Sequence, residues 1–541
     1  MEQFQSSRIA FPSEDSAILT DSPGRYPAVL NFVFQSLLGW TPTGIGKTLS
    51  AGCNPDVWQA RMLDARVKTS AQIQGALLQK YLQECGSELE TGVNGTLGNA
   101  RRQMSINLKS KEHPFMRRVV INLPGNVRLK GLLALKGDFK RRPFVIMRTG
   151  IFSSIEDFRP ERAWLMMLFE QAPFNVLVLE NMSSGDFINN NSQFAFGGYD
   201  EGIQNLLVSK LLRDPNEPLS KIVDSVHIFG MSLGGHGVLF SSLLNKYNSP
   251  EGYPLVQSFL AFCPVVNLKD TMEGLTKGGI TSAFIDMWAH RRLGPLENKL
   301  PGLSNYKAFH FFPTAISEVV RNYTGGLSYV SSVKLPPGMK DGPDFWGLND
   351  FWKSYSDVQE PVMIWTTTDD GLVPASANAG MISSKKIKLA SKNIKVVEFP
   401  RGFHCTLPIA YDWKAISTMM QSYILSHSPS FRMKEKNLTV DLMDDEWKGF
   451  FVGPVIANYE VKEPAKDQKF VRLEIHLVNS KKSDKSMNLS LPLSEFDFRF
   501  LNQDLTTAEK QMIVRWLNQN LKVDVLQGAK PALKVSWNVA I

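Results

Sequence analysis

The chain has little cysteine: Cys53, Cys85, Cys263 and Cys405 are the only four in 541 residues. They lie too far apart for a metal-binding C-x-x-C pair and are too few for a disulfide-stapled scaffold, so reduced thiols are the default expectation. Long apolar runs are also missing. The longest early one, Ala28 to Trp40, is interrupted by Asn31, Gln35 and Ser36 and is shorter than the roughly 20 residues that span a bilayer, so no transmembrane segment is expected. The first residues, MEQFQSSRIAFPSEDSAI, lack the basic start and unbroken apolar stretch of a secretory signal. The chain therefore reads as cytoplasmic by default; a mature exported chain would read the same way, and the compartment stays unknown. Charge of one sign is not concentrated. Lys plus Arg total 60 against 52 for Asp plus Glu, a net +8 with no polybasic block, which gives no nucleic-acid footprint. Internal repeats are absent.

What is present is an ordinary globular composition, 43% hydrophobic and 21% charged. At roughly 150 residues per domain the length allows three or four units. Residues 1–115 read as an irregular lead followed by a helical extension, with apolar residues at helical spacing and solvated charged faces over 57–85. From 116 the pattern becomes RRVVINLP, RLKGLLALKG and PFVIMRTG, a β-hairpin feeding a buried strand. Helical and unbroken apolar segments then alternate through NVLVLE, SVHIFG and LVQSFLAFCPVV, which indicates a mostly parallel sheet covered on both faces. The rhythm stops over 271–357, an aromatic-rich stretch with Trp288, Phe309, Phe311, Phe312, Trp346 and Trp352, and resumes with PVMIWTTTDD and IKVVEFP. The expected organisation is one α/β core, 116–270 and 358–428, carrying an insertion over 271–357. Residues 429–541 read as a separate β-rich module, interrupted by one helix that the capping-box pattern Thr506 to Glu509 introduces.

The chemistry is carried by Gly230-Met231-Ser232-Leu233-Gly234, a G-x-S-x-G sequence between a strand and a helix. About 0.2 such matches arise by chance in a chain this long, so the pattern alone is weak and its setting gives it meaning. A sharp strand-to-helix turn presents the hydroxyl on strained backbone, and the glycines remove side chains that would collide there. A serine nucleophile needs a base, and the base needs an orienting acid. Asp370 follows one later strand in Asp370-Gly371-Leu372-Val373-Pro374, and His404 follows the next in Pro400-Arg401-Gly402-Phe403-His404. All three groups fall at carboxyl ends of strands, where open parallel sheets gather their sites.

In these features the chain resembles the α/β-hydrolase superfamily over 116–270 and 358–428. The resemblance implies Ser232 as nucleophile, His404 as general base and then acid, and Asp370 as the residue that orients the imidazolium. The D-x-x-V-P form favours Asp370 over Asp369. It also implies two backbone oxyanion donors, the N–H of Leu233 and a second from Arg148-Thr149-Gly150-Ile151-Phe152, with Ile151 the first choice. Here the sequence departs from the superfamily's common His-Gly pair: Arg148-Thr149 stands where His is expected, and Arg148 is a candidate for an ion pair beneath the site. The insertion occupies the usual place of a cap, and its rings form either an apolar pocket wall or the insertion's own small core.

Other motifs carry less. His236, one helical turn from Ser232, and His227, inside a strand, read as structural histidines. His290 and His310 lie in the insertion, where a surface role is expected. No elbow surrounds Cys405, which argues against a thiol nucleophile. Gly44-Ile45-Gly46-Lys47-Thr48 ends like a phosphate-binding loop, but that pattern needs Gly where Thr41 stands. The expected protein is thus an α/β-hydrolase-fold serine esterase acting on a small acyl substrate of apolar character, with no metal or organic cofactor. Amide, peptide or thioester cleavage by the same residues, and a non-catalytic binding protein on the hydrolase fold, are the alternatives. Oligomeric state is not legible.

Overall fold

The computed structural model describes residues 1–13, 15–19, 49–63, 70–92, 110, 113–155, 159–193, 196–250, 254–293, 310–322, 332–339, 344–353, 355–383, 392–428, 451–462, 470–480 and 486–492. The Gly44–Thr48 motif, Phe309 and the helix expected after Thr506 lie outside them. The strands are β1 (Ile9–Ala10), β2 (Met116–Leu123), β3 (Val127–Ala134), β4 (Arg142–Arg148), β5 (Asn175–Leu179), β6 (Val223–Met231), β7 (Ser258–Phe262), β8 (Val362–Thr367) and β9 (Ile394–Phe399). They form one sheet in the order β1-β2-β3-β5-β4-β6-β7-β8-β9. Strands β2 and β3 make the expected antiparallel hairpin, β3 pairs antiparallel with β5, and every pairing from β5 through β4, β6, β7 and β8 to β9 is parallel. This is the α/β-hydrolase core, and its parallel register brings the carboxyl ends of β4 to β9 to one edge.

Alternation within each strand explains the two covered faces. Val145, Met147, Phe229, Met231, Leu260, Phe262, Met363 and Trp365 join one buried cluster, while their neighbours Phe144, Ile146, Ile228, Phe259, Ala261 and Ile364 join another. A period of two with both phases apolar is what a sheet buried on both sides requires. Helices α5 (Gly198–Arg213) and α6 (Leu233–Asn248) lie on the second face. The first is covered by α1 (Pro55–Met62), α2 (Ala71–Leu89), α3 (Arg159–Phe169) and α10 (Trp413–Ser426). Between α3 and α5 runs the short α4 (Gly185–Asn191).

The expected helical segment 57–85 is thus two helices. Asn54 caps α1 by accepting from the amide of Asp56, and Ser70 caps α2 by accepting from that of Ile73. Trp58, Leu78, Tyr81, Leu82 and Leu89 enter the same buried cluster as the sheet. The expectation of reduced thiols is wrong. Cys53 is bonded to Cys85, tying the turn before α1 to α2, and Cys263 is bonded to Cys405. Their sequence separations are 32 and 142 residues, which no short-range spacing rule can pair.

Near the C-terminus β10 (Phe451–Lys462), β11 (Phe470–Ser480) and β12 (Ser486–Pro492) form a three-stranded antiparallel sheet in that order. Among the described residues no helix is long and apolar enough to cross a membrane.

Trp164 is the keystone of the first face. It is fully buried, with ring centroids 5.1 Å from Phe229, 4.8 Å from Phe262 and 6.4 Å from Trp365, so it touches β6, β7 and β8 together. Trp164→Ala should cost about 3–5 kcal/mol, read from guanidinium unfolding midpoints; a loss below about 1 kcal/mol would mean that α3 contributes little to sheet packing.

Candidate active site

Ser232 stands alone between the last residue of β6 and the first of α6, with φ 55° and ψ −123°. A non-glycine residue at positive φ persists only where its surroundings over-determine it. Here the Ser232 amide donates to Phe262 O at 3.0 Å, and Ser232 O accepts from Val265 at 3.3 Å and His236 at 3.1 Å. The helix must also start hard against β4: a methyl on Gly234 would lie 2.2 Å from Thr149 O and 2.7 Å from Arg148 O, so only glycine fits. The strained turn is therefore clamped on both sides.

The structure brings the other two residues of the expected set to this hydroxyl. His404 Nε2 is 2.9 Å from Ser232 Oγ, and His404 Nδ1 is 2.8 Å from Asp370 Oδ2. Asp370 is buried, and its Oδ1 accepts from the amides of Leu372 (2.9 Å) and Val373 (2.8 Å), which fixes the carboxylate in the turn after β8. The neighbouring Asp369 faces elsewhere. Its Oδ1 accepts from the Phe403 amide at 2.8 Å and its Oδ2 from the Gly402 amide at 3.3 Å, so it grips the backbone leading into His404. That loop is conformationally costly, with the non-glycine residues Phe403 and Cys405 at positive φ.

The loop expected to hold the second oxyanion donor lies against Ser232: a methyl on Gly150 would sit 3.4 Å from the Ser232 Cβ. Ile151 is half-buried and follows it; Leu233, as the first residue of α6, has an amide that the helix's own ladder leaves unused. The loop rests on buried polar groups. Phe152 N donates to Ser183 Oγ at 2.8 Å, Asn181 N to Ser153 O at 3.0 Å, Asn181 Nδ2 to Thr149 O at 3.2 Å and Gly150 N to Glu161 Oε1 at 3.4 Å. Arg148, fully buried, pairs with Glu201 at 3.6 Å and donates to Gln204, so a cation beneath the loop stands where the superfamily commonly has histidine. Burial pushes the Glu201 carboxyl up to about 7 despite Arg148.

A second buried ionic group lies beside it, unforeseen from the sequence. Lys130 Nζ is 2.9 Å from Asp186 Oδ2, with both side chains 1% exposed, and Ser154 Oγ also donates to that oxygen. Glu180 accepts from the Lys130 amide at 2.8 Å and the Ser184 hydroxyl at 3.0 Å. Burial, reinforced by Asp186, pushes the Glu180 carboxyl up to about 8. Glu180 is the single charge in NVLVLE and closes that apolar run, whereas Lys130 shares RLKGLLALKG with Arg128 and Lys136 and has no such mark.

The competing histidines are held elsewhere. His236 Nδ1 lies 2.8 Å from Val265 O, and burial lowers its pKa to about 4, so the ring is neutral. His227 is buried among Ser225, Ser258 and Ser428. His290 is exposed and packs on Phe311, and His310 is exposed. Among the described residues the close group of metal-ligand type is Cys263, His404 and Cys405, but its two sulfurs are bonded to each other and offer no thiolate.

Helices α7 (Leu268–Thr276), which straddles the expected start of the insertion at 271, α8 (Ile280–Leu293) and α9 (Phe311–Asn322) bury Met272, Ile285, Phe311 and Phe312 in a cluster that also contains Phe152, Leu233 and Val373. The insertion's core is therefore continuous with the walls of the site. Phe152 meets Trp288 at 5.3 Å and Phe312 at 6.0 Å. Ile151, Trp288, Trp346 and Leu372 are partly buried at its edge. Trp352 packs instead with Phe351 and Tyr355, against the second face of the sheet.

No family model matches the chain, and no curated protein matches it. Solved structures do. An esterase of Pyrococcus furiosus is 15% identical with a TM-score of 0.37, over 59% of this chain and 95% of that one. A 2,6-dihydroxy-pseudo-oxynicotine hydrolase is 13% identical with a TM-score of 0.38, over 66% and 82%. Dipeptidyl peptidase 4 of Porphyromonas gingivalis is 12% identical with a TM-score of 0.31, over 56% and 34%. Strand order and strand directions define the fold.

The raised Glu180 carboxyl makes stability depend on pH. The unfolded chain releases this proton near the ordinary glutamate value while the folded chain keeps it up to about 8, so stability is full at low pH and is lost as pH rises through that window. Gln imitates the protonated form. Glu180→Gln should gain melting temperature relative to the parent on going from pH 5 to pH 8.5, measured by scanning calorimetry; a constant difference across that range would place the proton elsewhere.

Proposed function

We propose that the protein is a serine hydrolase that cleaves a carboxylic ester through a Ser232 acyl-enzyme. The observation that carries the reading is the unbroken chain from Ser232 Oγ to His404 Nε2 (2.9 Å) and from His404 Nδ1 to Asp370 Oδ2 (2.8 Å), built on a Ser232 backbone held at positive φ. In the forward step the Ser232 proton passes to His404 Nε2 as Oγ attacks the substrate carbonyl carbon. Asp370, fixed by two backbone amides, holds Nδ1 protonated and stabilises the imidazolium. The carbonyl oxygen, now negative, takes the N–H groups of Leu233 and Ile151, each such donor being worth roughly 3–4 kcal/mol of barrier. His404 then returns its proton to the leaving alkoxide. Water, activated by the same nitrogen, attacks the acyl carbon and releases the acid and Ser232.

The half-buried apolar edge of Ile151, Leu372, Trp288 and Trp346 supports an apolar acyl or alkyl group as substrate. On this reading residues 116–270 and 358–428 are the catalytic core, 271–357 is the cap that shapes specificity, and 1–115 and 429–541 are additions to it.

His404→Ala should lower turnover of p-nitrophenyl butyrate by on the order of 10⁴-fold or more with an unchanged circular dichroism spectrum, and Ser232→Ala should match it. Undiminished hydrolysis in the folded His404 variant would remove it as the base. Across p-nitrophenyl esters, kcat/KM should rise from acetate to butyrate or longer by about tenfold for each 1.4 kcal/mol of buried chain. A flat series would argue against the apolar edge as the acyl site.

A further inference from the structure

The end of β7 and the residues just after it, 262–265, hold both partners of the proposed proton transfer. Phe262 O accepts the Ser232 amide at 3.0 Å, Val265 N donates to Ser232 O at 3.3 Å, and Cys263 between them is bonded to Cys405, the residue directly after His404. Cys405 Sγ lies 3.8 Å from His404 Nε2. Before His404 the loop is held by hydrogen bonds, from the Phe403 and Gly402 amides to Asp369 and from Thr367 Oγ1 to Phe403 O at 2.7 Å. Next to it on the other side stands the disulfide. Phe403, Cys405 and Cys263 have φ of 45°, 60° and 41°, conformations that a free loop leaves readily.

We propose that the Cys263–Cys405 bond is a positioning element for His404, so that hydrolysis is controlled by the oxidation state of this cysteine pair. The inference rests on the reading of His404 as the base. The bond ties the base loop to the same four-residue bracket, 262–265, that seats the nucleophile, which fixes the Nε2 to Oγ separation covalently on one side. A dithiol undoes it in a balanced exchange: a reductant thiolate attacks Cys405 Sγ, Cys263 leaves as thiolate, and a second attack closes the cyclic disulfide of the reductant, leaving two protonated cysteines. Cys263 is 1% and Cys405 6% exposed, so the exchange is slow and Cys405 is the more accessible sulfur. Once freed, Cys405 relaxes from its left-handed conformation and the imidazole loses its alignment with Ser232. A misplacement of about 1 Å at a reacting group costs about 10²-fold in rate.

The test uses the full chain as Cys263→Ala, Cys405→Ala and the control pair Cys53→Ala/Cys85→Ala, with the parent before and after dithiothreitol and free thiols counted by alkylation and mass. Expected in both site variants and in the reduced parent is a fall in kcat of about 10- to 100-fold with KM unchanged within about threefold. The downfield NMR resonance of the His404 Nδ1 proton, identified by its absence in His404→Ala, should be lost with it. The control pair should keep both. An unchanged kcat and resonance in a parent whose Cys263 and Cys405 are shown to be free, or a change confined to KM, would overturn the proposal. The reduced parent decides the matter where a variant does not fold. If the oxidised parent hydrolyses no ester, the hydrolase reading fails, and the resonance still reports whether the bond seats the ring.

Discussion

The hydrogen bond from the Ser232 amide to Phe262 O, 3.0 Å long, is the constraint on which the site depends. It forces a residue at the end of β6 to turn toward β7 at positive φ before α6 begins, and this lifts the hydroxyl out of the sheet. The parallel register of β6, β7 and β8 supplies the partner at the right height, with Met231 opposite Phe262 and Phe262 opposite Trp365. Trp164 then packs on Phe229, Phe262 and Trp365 from below. Core packing and site geometry are therefore one structure: anything that lets β7 slide against β6 moves Ser232.

Beneath the loop beside Ser232 lie buried ionic groups. Arg148 with Glu201, and Lys130 with Asp186 and Glu180, are all buried under the loop that runs from Thr149 to Ser153. Such groups are expensive to bury and often no more stabilising than apolar residues of the same shape. Their directional bonds through Asn181, Ser183 and Ser154 hold a loop that packs within van der Waals reach of Ser232. The proximity of Asp186 to Glu180 is relieved by keeping the latter protonated.

Much of this was legible in the sequence, for physical reasons that can be named. Alternating apolar strands and helices announced a mostly parallel sheet buried on both faces, and the sheet is parallel from β5 through β9. Gly230, Ser232 and Gly234 announced the turn because close approach of backbone to Thr149 tolerates no side chain. The convergence of Ser232, Asp370 and His404 followed from each lying past a strand end. The cysteine pairings were not legible, since Cys263 and Cys405 meet only through the sheet. Nor was the burial of Lys130 and Glu201, whose partners come from other strands and helices. Asp369 and Asp370, adjacent in sequence, separated into loop anchor and imidazole partner only in three dimensions. The aromatic insertion divides in the same way: Phe312 and Trp288 face the site loop, and Trp352 turns to the far face of the sheet.

The proposal that Ser232 is the nucleophile of a covalent mechanism is tested by the position of a fluorophosphonate adduct. The folded chain, treated with one equivalent of probe, digested and sequenced by tandem mass spectrometry, should carry a single phosphonyl group on the peptide containing Ser232. An adduct on another serine, or a folded chain that takes up no probe at all, would contradict the account.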